Sequence, residues 1–426
     1  MQEYETMRML MLPTAIALAL ATQSPAHAES VETRLERLET QNSALEAQLK
    51  RQEARIAEQQ AQLQGAPGRV KAIEEDMEDK RLAAAQSGAS AWFRNIEIAG
   101  LIEVEGAYMS PYEGDNESDF TLATVELGIS SQVNDWVEAG ISFLYEEDDT
   151  DLEVDTGYIT IANADVTPLF LTAGQIYVPF GAYETNLVSD PLTLEIGETR
   201  ESALQIGFAH GDFSGSAYAF NGDNKVKGKN QIDSWGANLA YAHEEADRAW
   251  AFGVGYINDL GDSDTLQDSI NDNRVAALDE AIGTGIDTSH YSVDPTERTG
   301  GWTINAGANF GPFNLIGEYL SATEEYDPIS LSFKDGGAKP SAWNVEAGYS
   351  FSIMGRESTA AIAYQGTDEA LALELPKERW LIGWSVEVFD NTALSLEWAH
   401  DKDYSGKDGG TGESANSVVA QLAVEF

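Results

Sequence analysis

From Asn95 onward the chain alternates apolar and polar residues in segments about ten residues long, and this period of two limits the fold more than any other feature. Trp302, Ile304, Ala306, Ala308 and Phe310 alternate with Thr303, Asn305, Gly307 and Asn309. Trp343, Val345, Ala347, Tyr349 and Phe351 alternate with Asn344, Glu346, Gly348 and Ser350. Trp235–Tyr241, Trp250–Tyr256, Trp380–Val388 and Leu394–Trp398 follow the same rule. Aromatic residues stand at one or both ends of each apolar face. That combination marks strands whose two faces meet lipid and an aqueous lumen in turn. Strands of soluble sandwiches also alternate, but they are usually shorter and more uniformly connected.

The connections sharpen the reading. Tight turns are expected at Asn134-Asp135, Asn163–Asp165, His210–Asp212, Glu244–Asp247, Gly311-Pro312, Met354–Arg356 and Asp390-Asn391. Longer polar loops are expected at Ser110–Asp119, Glu146–Asp151, Pro179–Thr199, Gly222–Gln231, Asp259–Gly300, Glu324–Lys339, Thr367–Leu375 and Asp401–Ala415. Short and long alternate, as periplasmic turns and extracellular loops do. The count predicts an all-β fold, a transmembrane antiparallel β-barrel of about sixteen strands. A ring of that size encloses a water-filled channel rather than a packed core. The last segment agrees, since Val418, Ala420, Leu422, Val424 and Phe426 share one apolar face.

The formal charge is −47, and nearly all of it falls after Trp92. Such an acidic field excludes nucleic acid, which needs Lys and Arg to displace counterions. It fits loops adapted to saline water, with divalent-cation binding as the other reading. There is no cysteine, so neither a disulfide framework nor a thiolate metal site is available.

Residues 1–28 read as a signal peptide: Arg8, the apolar run Met9–Ala21, then Ala26-His27-Ala28, with Met7 an alternative start to Met1. The apolar run is shorter than the ~20 residues that a membrane-spanning helix needs. Residues 29–64 lack Gly and Pro and carry a heptad seam. Leu35, Asn42, Leu49, Ile56 and Leu63 occupy one core position, Leu38 and Leu45 the other. This predicts a self-associating α-helical coiled coil, placed in the periplasm. At 1.5 Å per residue it would reach about 50 Å. Residues 65–91 form a linker with a short helix, and 92–426 form the barrel.

The most individual stretch interrupts the strands at about 179–199. Pro179 removes a ladder donor, and Gly181 and Gly197 permit sharp bends. Folded inward, such a loop would narrow the lumen, with Tyr177, Phe180, Tyr183 and Leu187 available to pack on the wall. Tyr177, Glu184, Asp190, Glu195, Glu198 and Arg200 are the candidate constriction residues. A ring dominated by carboxylates favours cations or neutral solutes. The competing reading is that these charges anchor the loop, with Arg200 paired to a carboxylate on the wall.

Gly174-Gln-Ile-Tyr-Val-Pro-Phe-Gly181, Glu184-Thr-Asn186, Ser189-Asp-Pro-Leu-Thr-Leu-Glu195 and Gly197-Glu-Thr-Arg200 resemble the LbtU-type siderophore porin family. The signal peptide, coiled-coil prefix, barrel and closing Phe are similar to that family's layout as well. The resemblance implies a Gram-negative outer-membrane porin, surrounded by lipid and lipopolysaccharide, with a ferric siderophore as the solute the family suggests. Porin precedent makes a homotrimer the expected oligomer. Gln175–Gly181 also resembles the corresponding region of phosphate-selective porins, but this chain lacks their runs of Arg or Lys.

Other chemistry is weaker. Glu146–Asp151 and Asp259–Asp272 are oxygen-rich but do not match the EF-hand spacing, so no metal site or cofactor is assigned. Lys225, Lys227 and Lys229 are three cations on alternate positions, read either as a solvated loop edge or as a site for an anionic ligand or lipopolysaccharide phosphate. No spacing joins His210, His243, His290 or His400 to a nucleophile, so no enzyme is expected. An energised receptor would need a globular plug and 22 strands. The alternative to a channel is a structural protein that tethers the outer membrane to the cell wall through its coiled coil.

Overall fold

The computed structural model describes residues 96–147, 150–245, 248–284 and 294–426. The signal peptide, coiled coil and linker expected over 1–28, 29–64 and 65–91 lie outside the described residues.

The period-two segments become strands. In chain order they are β1 (Ile96–Ser110), β2 (Glu117–Asn134), β3 (Val137–Glu146), β4 (Thr150–Ala162), β5 (Leu169–Tyr177), β6 (Arg200–His210), β7 (Phe213–Phe220), β8 (Ser234–Glu245) and β9 (Arg248–Ile257). They continue with β10 (Gly301–Phe310), β11 (Phe313–Ala322), the two-residue pieces β12 (Ser332–Phe333) and β13 (Gly336–Gly337), β14 (Ser341–Ile353), β15 (Arg356–Asp368), β16 (Glu378–Phe389), β17 (Thr392–Lys402) and β18 (Ser414–Glu425). All except β12 and β13 form one closed antiparallel barrel of 16 strands, each paired with its neighbour in sequence. β12 and β13 make a separate hairpin inside the loop that joins β11 to β14.

Closure comes from β1 pairing with β18, Leu101 opposite Glu425. Gly100 N–H donates to the Phe426 carbonyl at 2.7 Å, and Phe426 N–H donates back at 3.0 Å. The Phe426 ring lies over Gly100, in space that a side chain there would fill. A closed ring leaves no unpaired edge, which the bilayer interior demands.

The two faces sort as the alternation requires. On β9, Phe252, Val254 and Tyr256 are exposed on the outside while Gly253, Gly255 and Ile257 are enclosed. Strand ends carry paired aromatic rings, Trp235 with Tyr256 at 5.4 Å and Trp302 with Tyr319 at 5.2 Å. Such rings settle at the headgroup level. Among the described residues no helix is long and apolar enough to cross a membrane.

Three connections differ from expectation. The acidic stretch Glu146–Asp151 is not a long loop, because β3 and β4 stay paired up to Glu146 opposite Thr150. Glu146 closes β3 and Asp151 already lies in β4, so acidic composition on these strands does not signal a long loop. The long connection from β9 to β10 contains a 21-residue helix (Asp264–Thr284). Within loop 178–199, Leu192–Gly197 also form a helix. They are labelled α2 and α1 respectively. Phe180, Tyr183, Leu192, Leu194 and Ile196 from the inward loop pack with Leu266 and Ile270 of α2 and with Leu320 and Ala342 of the wall, in one apolar core.

Candidate channel constriction

Loop 178–199 leaves the barrel at a closed neck. Val178 N–H donates to the Thr199 carbonyl at 2.9 Å, and Pro179 then has no N–H to extend the ladder. The Phe180 carbonyl lies directly against Gly255 of β9, where any Cβ would collide with it. Tyr183 adopts a left-handed φ of 54°, and the chain turns to follow the inner wall.

Inside a barrel this backbone has no strand to pair with, yet its N–H groups still require acceptors. Three wall carboxylates supply them. Glu318 on β11 accepts from Ala182 N–H at 2.8 Å and Tyr183 N–H at 3.0 Å, and also from the Thr193 hydroxyl at 2.9 Å. Glu346 on β14 accepts from Asn186 N–H at 2.7 Å, Asn186 Nδ2 at 2.6 Å and the Thr185 hydroxyl at 2.7 Å. Glu397 on β17 accepts from Val188 N–H at 2.7 Å, Ser189 N–H at 3.1 Å and the Ser189 hydroxyl. On the return path Gln365 of β15 accepts from Leu192 N–H at 3.0 Å. Hydrogen bonds to a charged acceptor are each worth roughly 1.5–3 kcal/mol, so the set holds the loop firmly.

Apolar contact fills the gap between anchors. Leu187 packs on Ala363, Leu381 and Ala399, with Gly383 leaving room for its side chain. Small wall residues therefore stand where the loop is bulky, and carboxylates stand where its N–H groups meet the wall.

The six residues named from sequence fall into three settings. Tyr177 donates its hydroxyl to Asp155 at 2.7 Å, and Arg200 lies 2.6 Å from Glu153 and 3.1 Å from Asp155, so the arginine charge is neutralised against β4. Asp190 and Glu195 are 0% and 2% exposed, enclosed beneath the loop. Glu198 closes α1 with its N–H on the Leu194 carbonyl at 2.9 Å. Its carboxyl is pushed well above the usual range by desolvation and by the neighbouring Asp264, Asp190, Asp155 and Glu195. Glu184 is exposed, standing beside Gly307 of β10.

The anchors Glu318, Glu346 and Glu397 were not singled out from sequence. Their signal is a carboxylate in the middle of an apolar strand, which is costly to enclose without donors. Those donors lie 125 to 209 residues away along the chain.

Cations around the lumen and mouth are paired too. Arg379 meets Asp401 with two hydrogen bonds of 2.8 and 2.9 Å, and Arg274 reaches Asp327 at 3.0 Å. Arg298 lies 2.5 Å from Asp233 and 3.3 Å from Asp259. In the same extracellular network Asn224 N–H and the Ser234 hydroxyl donate to Asp262. Burial pushes the Asp262 carboxyl up to about 6, and Asp259 rises for the same reason. Among the described residues no three His, Asp or Glu side chains are placed to hold a metal ion.

Comparison with known proteins agrees with this architecture. A UPF0422 protein of Legionella pneumophila (strain Lens) is 29% identical over 360 residues, covering 78% of this chain and 66% of that protein. The chain thus spans about two thirds of that relative's length. A UPF0422 protein of Coxiella burnetii is 28% identical over 338 residues, covering 77% and 69%. The outer membrane channel DcaP of Acinetobacter baumannii shares the fold with a TM-score of 0.52 at 13% identity, covering 78% of this chain and 97% of that one. An anion-selective porin from Comamonas acidovorans does so with a TM-score of 0.51 at 13% identity, covering 78% and 99%. The description "Gram-negative porin" matches residues 81–423, most of the sequence, and the chain belongs to that family of outer-membrane β-barrel channels.

Proposed function

We propose that this porin passes small hydrated cations and neutral solutes through a channel narrowed by loop 178–199. The observation behind this reading is the charge left over around the loop. Arg200 and Arg379 are spent on wall carboxylates, while Glu184 is exposed on the constricting segment. Selectivity follows the net charge lining the narrowest part. The Comamonas porin is described as anion-selective, and the preference expected here is the opposite.

Ferric siderophores are the first specific solutes to test, on the strength of the resemblance of Gly174–Arg200 to siderophore porins. A homotrimer is the proposed assembly, with the coiled coil of 29–64 in the periplasm. Purified protein in planar bilayers should give stepwise, cation-selective openings, blocked by a ferric siderophore and altered by deleting Glu184–Glu198. A folded barrel with no conductance would overturn the channel and leave the tether, which rests on the heptads from Val31 to Leu63.

A further inference from the structure

Conduction through the lumen leaves one charged feature of the outer surface unused. The chain has 25 Lys and Arg against 72 Asp and Glu, yet Lys225, Lys227 and Lys229 crowd into five residues of the loop between β7 and β8. None of these three side chains has a carboxylate partner among the described residues, in contrast to Arg200, Arg274, Arg298, Lys334, Lys377 and Arg379.

The loop presenting them is built rather than loose. Val226 is buried, and Asn224 is enclosed with its side-chain amide on Asp259. Lys227 N–H donates to the Pro295 carbonyl at 2.8 Å. Lys227 and Gly228 take left-handed φ values of 57° and 67°, turning the chain so that Lys227 and Lys229 are exposed.

From Lys229 the chain stays exposed as far as Ile232, and after the buried Ser234 it reaches Trp235, exposed on β8. Ile232 is 75% exposed. The Trp235 and Tyr256 rings mark the headgroup level on this flank. The six residues from Lys229 to Trp235 extend about 20 Å at most, so Lys229, the end of the turn nearest β8, stands within reach of that level.

We propose that Lys225–Lys229 binds the phosphate groups of the glycolipid that forms the outer leaflet around the barrel. An acidic protein in an anionic leaflet meets repulsion around most of its rim. A cationic turn gives that leaflet one direct point of attachment.

The test uses the full-length protein in nanodiscs containing either bisphosphorylated lipid A or its monophosphoryl counterpart, with retained lipid counted by native mass spectrometry. Wild type should prefer the bisphosphorylated lipid, and the preference should shrink as salt rises. Replacing Lys225, Lys227 and Lys229 together by Ala should weaken binding roughly a hundredfold, at about one surface-lysine contribution each. Replacement by Arg should restore it. Lys407→Ala, an exposed lysine in another loop, should leave binding unchanged.

Equal retention of the two lipids by wild type would overturn the proposal, and so would equal retention by wild type and the triple variant. Inorganic pyrophosphate binding in detergent with the same lysine dependence, without lipid preference, would assign the turn to soluble anions and overturn the lipid reading. If the triple Ala variant fails to fold, the salt dependence and the Arg variant decide alone.

Discussion

Glu397 on β17 holds the backbone N–H of Val188 at 2.7 Å, joining the tip of the inward loop to a strand reached only after 209 more residues. Three such carboxylates fix the loop. Glu397→Gln should remove the charge from the acceptor and loosen the tip by roughly 2–3 kcal/mol. Single-channel records should then show rapid flicker over an intact barrel, with Glu397→Asp partly quiet. Unchanged records would mean that Glu318, Glu346 and the packing of Leu187 hold the loop without Glu397.

Glu184 and Asp190 should separate by role. Glu184→Gln should lower the cation-to-anion permeability ratio roughly two- to threefold, read as a reversal potential in a salt gradient. Asp190→Asn, which changes an enclosed group, should affect folding yield more than selectivity.

Gly255 admits the Phe180 carbonyl at the point where the loop first meets the wall. Gly255→Ala should cost roughly 1–3 kcal/mol by overpacking, since the obstacle is backbone and cannot rotate away. The heat-modifiable shift on gels should occur at lower temperature. Gly336→Ala, in open space, should not move it.

The Asp262 carboxyl lies at about 6, raised from 3.8. The folded loop network therefore binds this proton more tightly than the unfolded chain does. Its contribution to stability is fullest below pH 3.8 and declines as pH rises through about 6. The melting temperature of detergent-solubilised protein should show that slope, and Asp262→Asn should make it shallower while Asp259 retains its own part.

The strands were legible because lipid on one face and water on the other impose a strict period of two, as Trp302–Phe310 and Trp343–Phe351 show. The lumen wall was harder. Its polar residues resemble loop residues, so Glu146–Asp151 read as a long loop although β3 runs to Glu146 and β4 starts at Thr150. Helix α2 escaped notice because it is mostly polar, and only Leu266, Ile270 and a few small or paired residues are enclosed. For the constriction, Pro179 and the glycines announced a departure from the ladder, but composition could not assign roles to charges. Arg200 and Glu184 look alike as loop residues. One is paired with β4, while the other is exposed. The anchors are defined by donors from another part of the chain, and no local pattern contains that pairing.

The dispersal of these anchors over β11, β14 and β17 also makes the aperture depend on the whole ring. The loop departs from the wall between β5 and β6, yet its carboxylate acceptors stand on strands far around the barrel. A displacement of any of those strands is therefore transmitted to the loop backbone. The bore of the channel belongs to the closed wall as much as to the segment that narrows it.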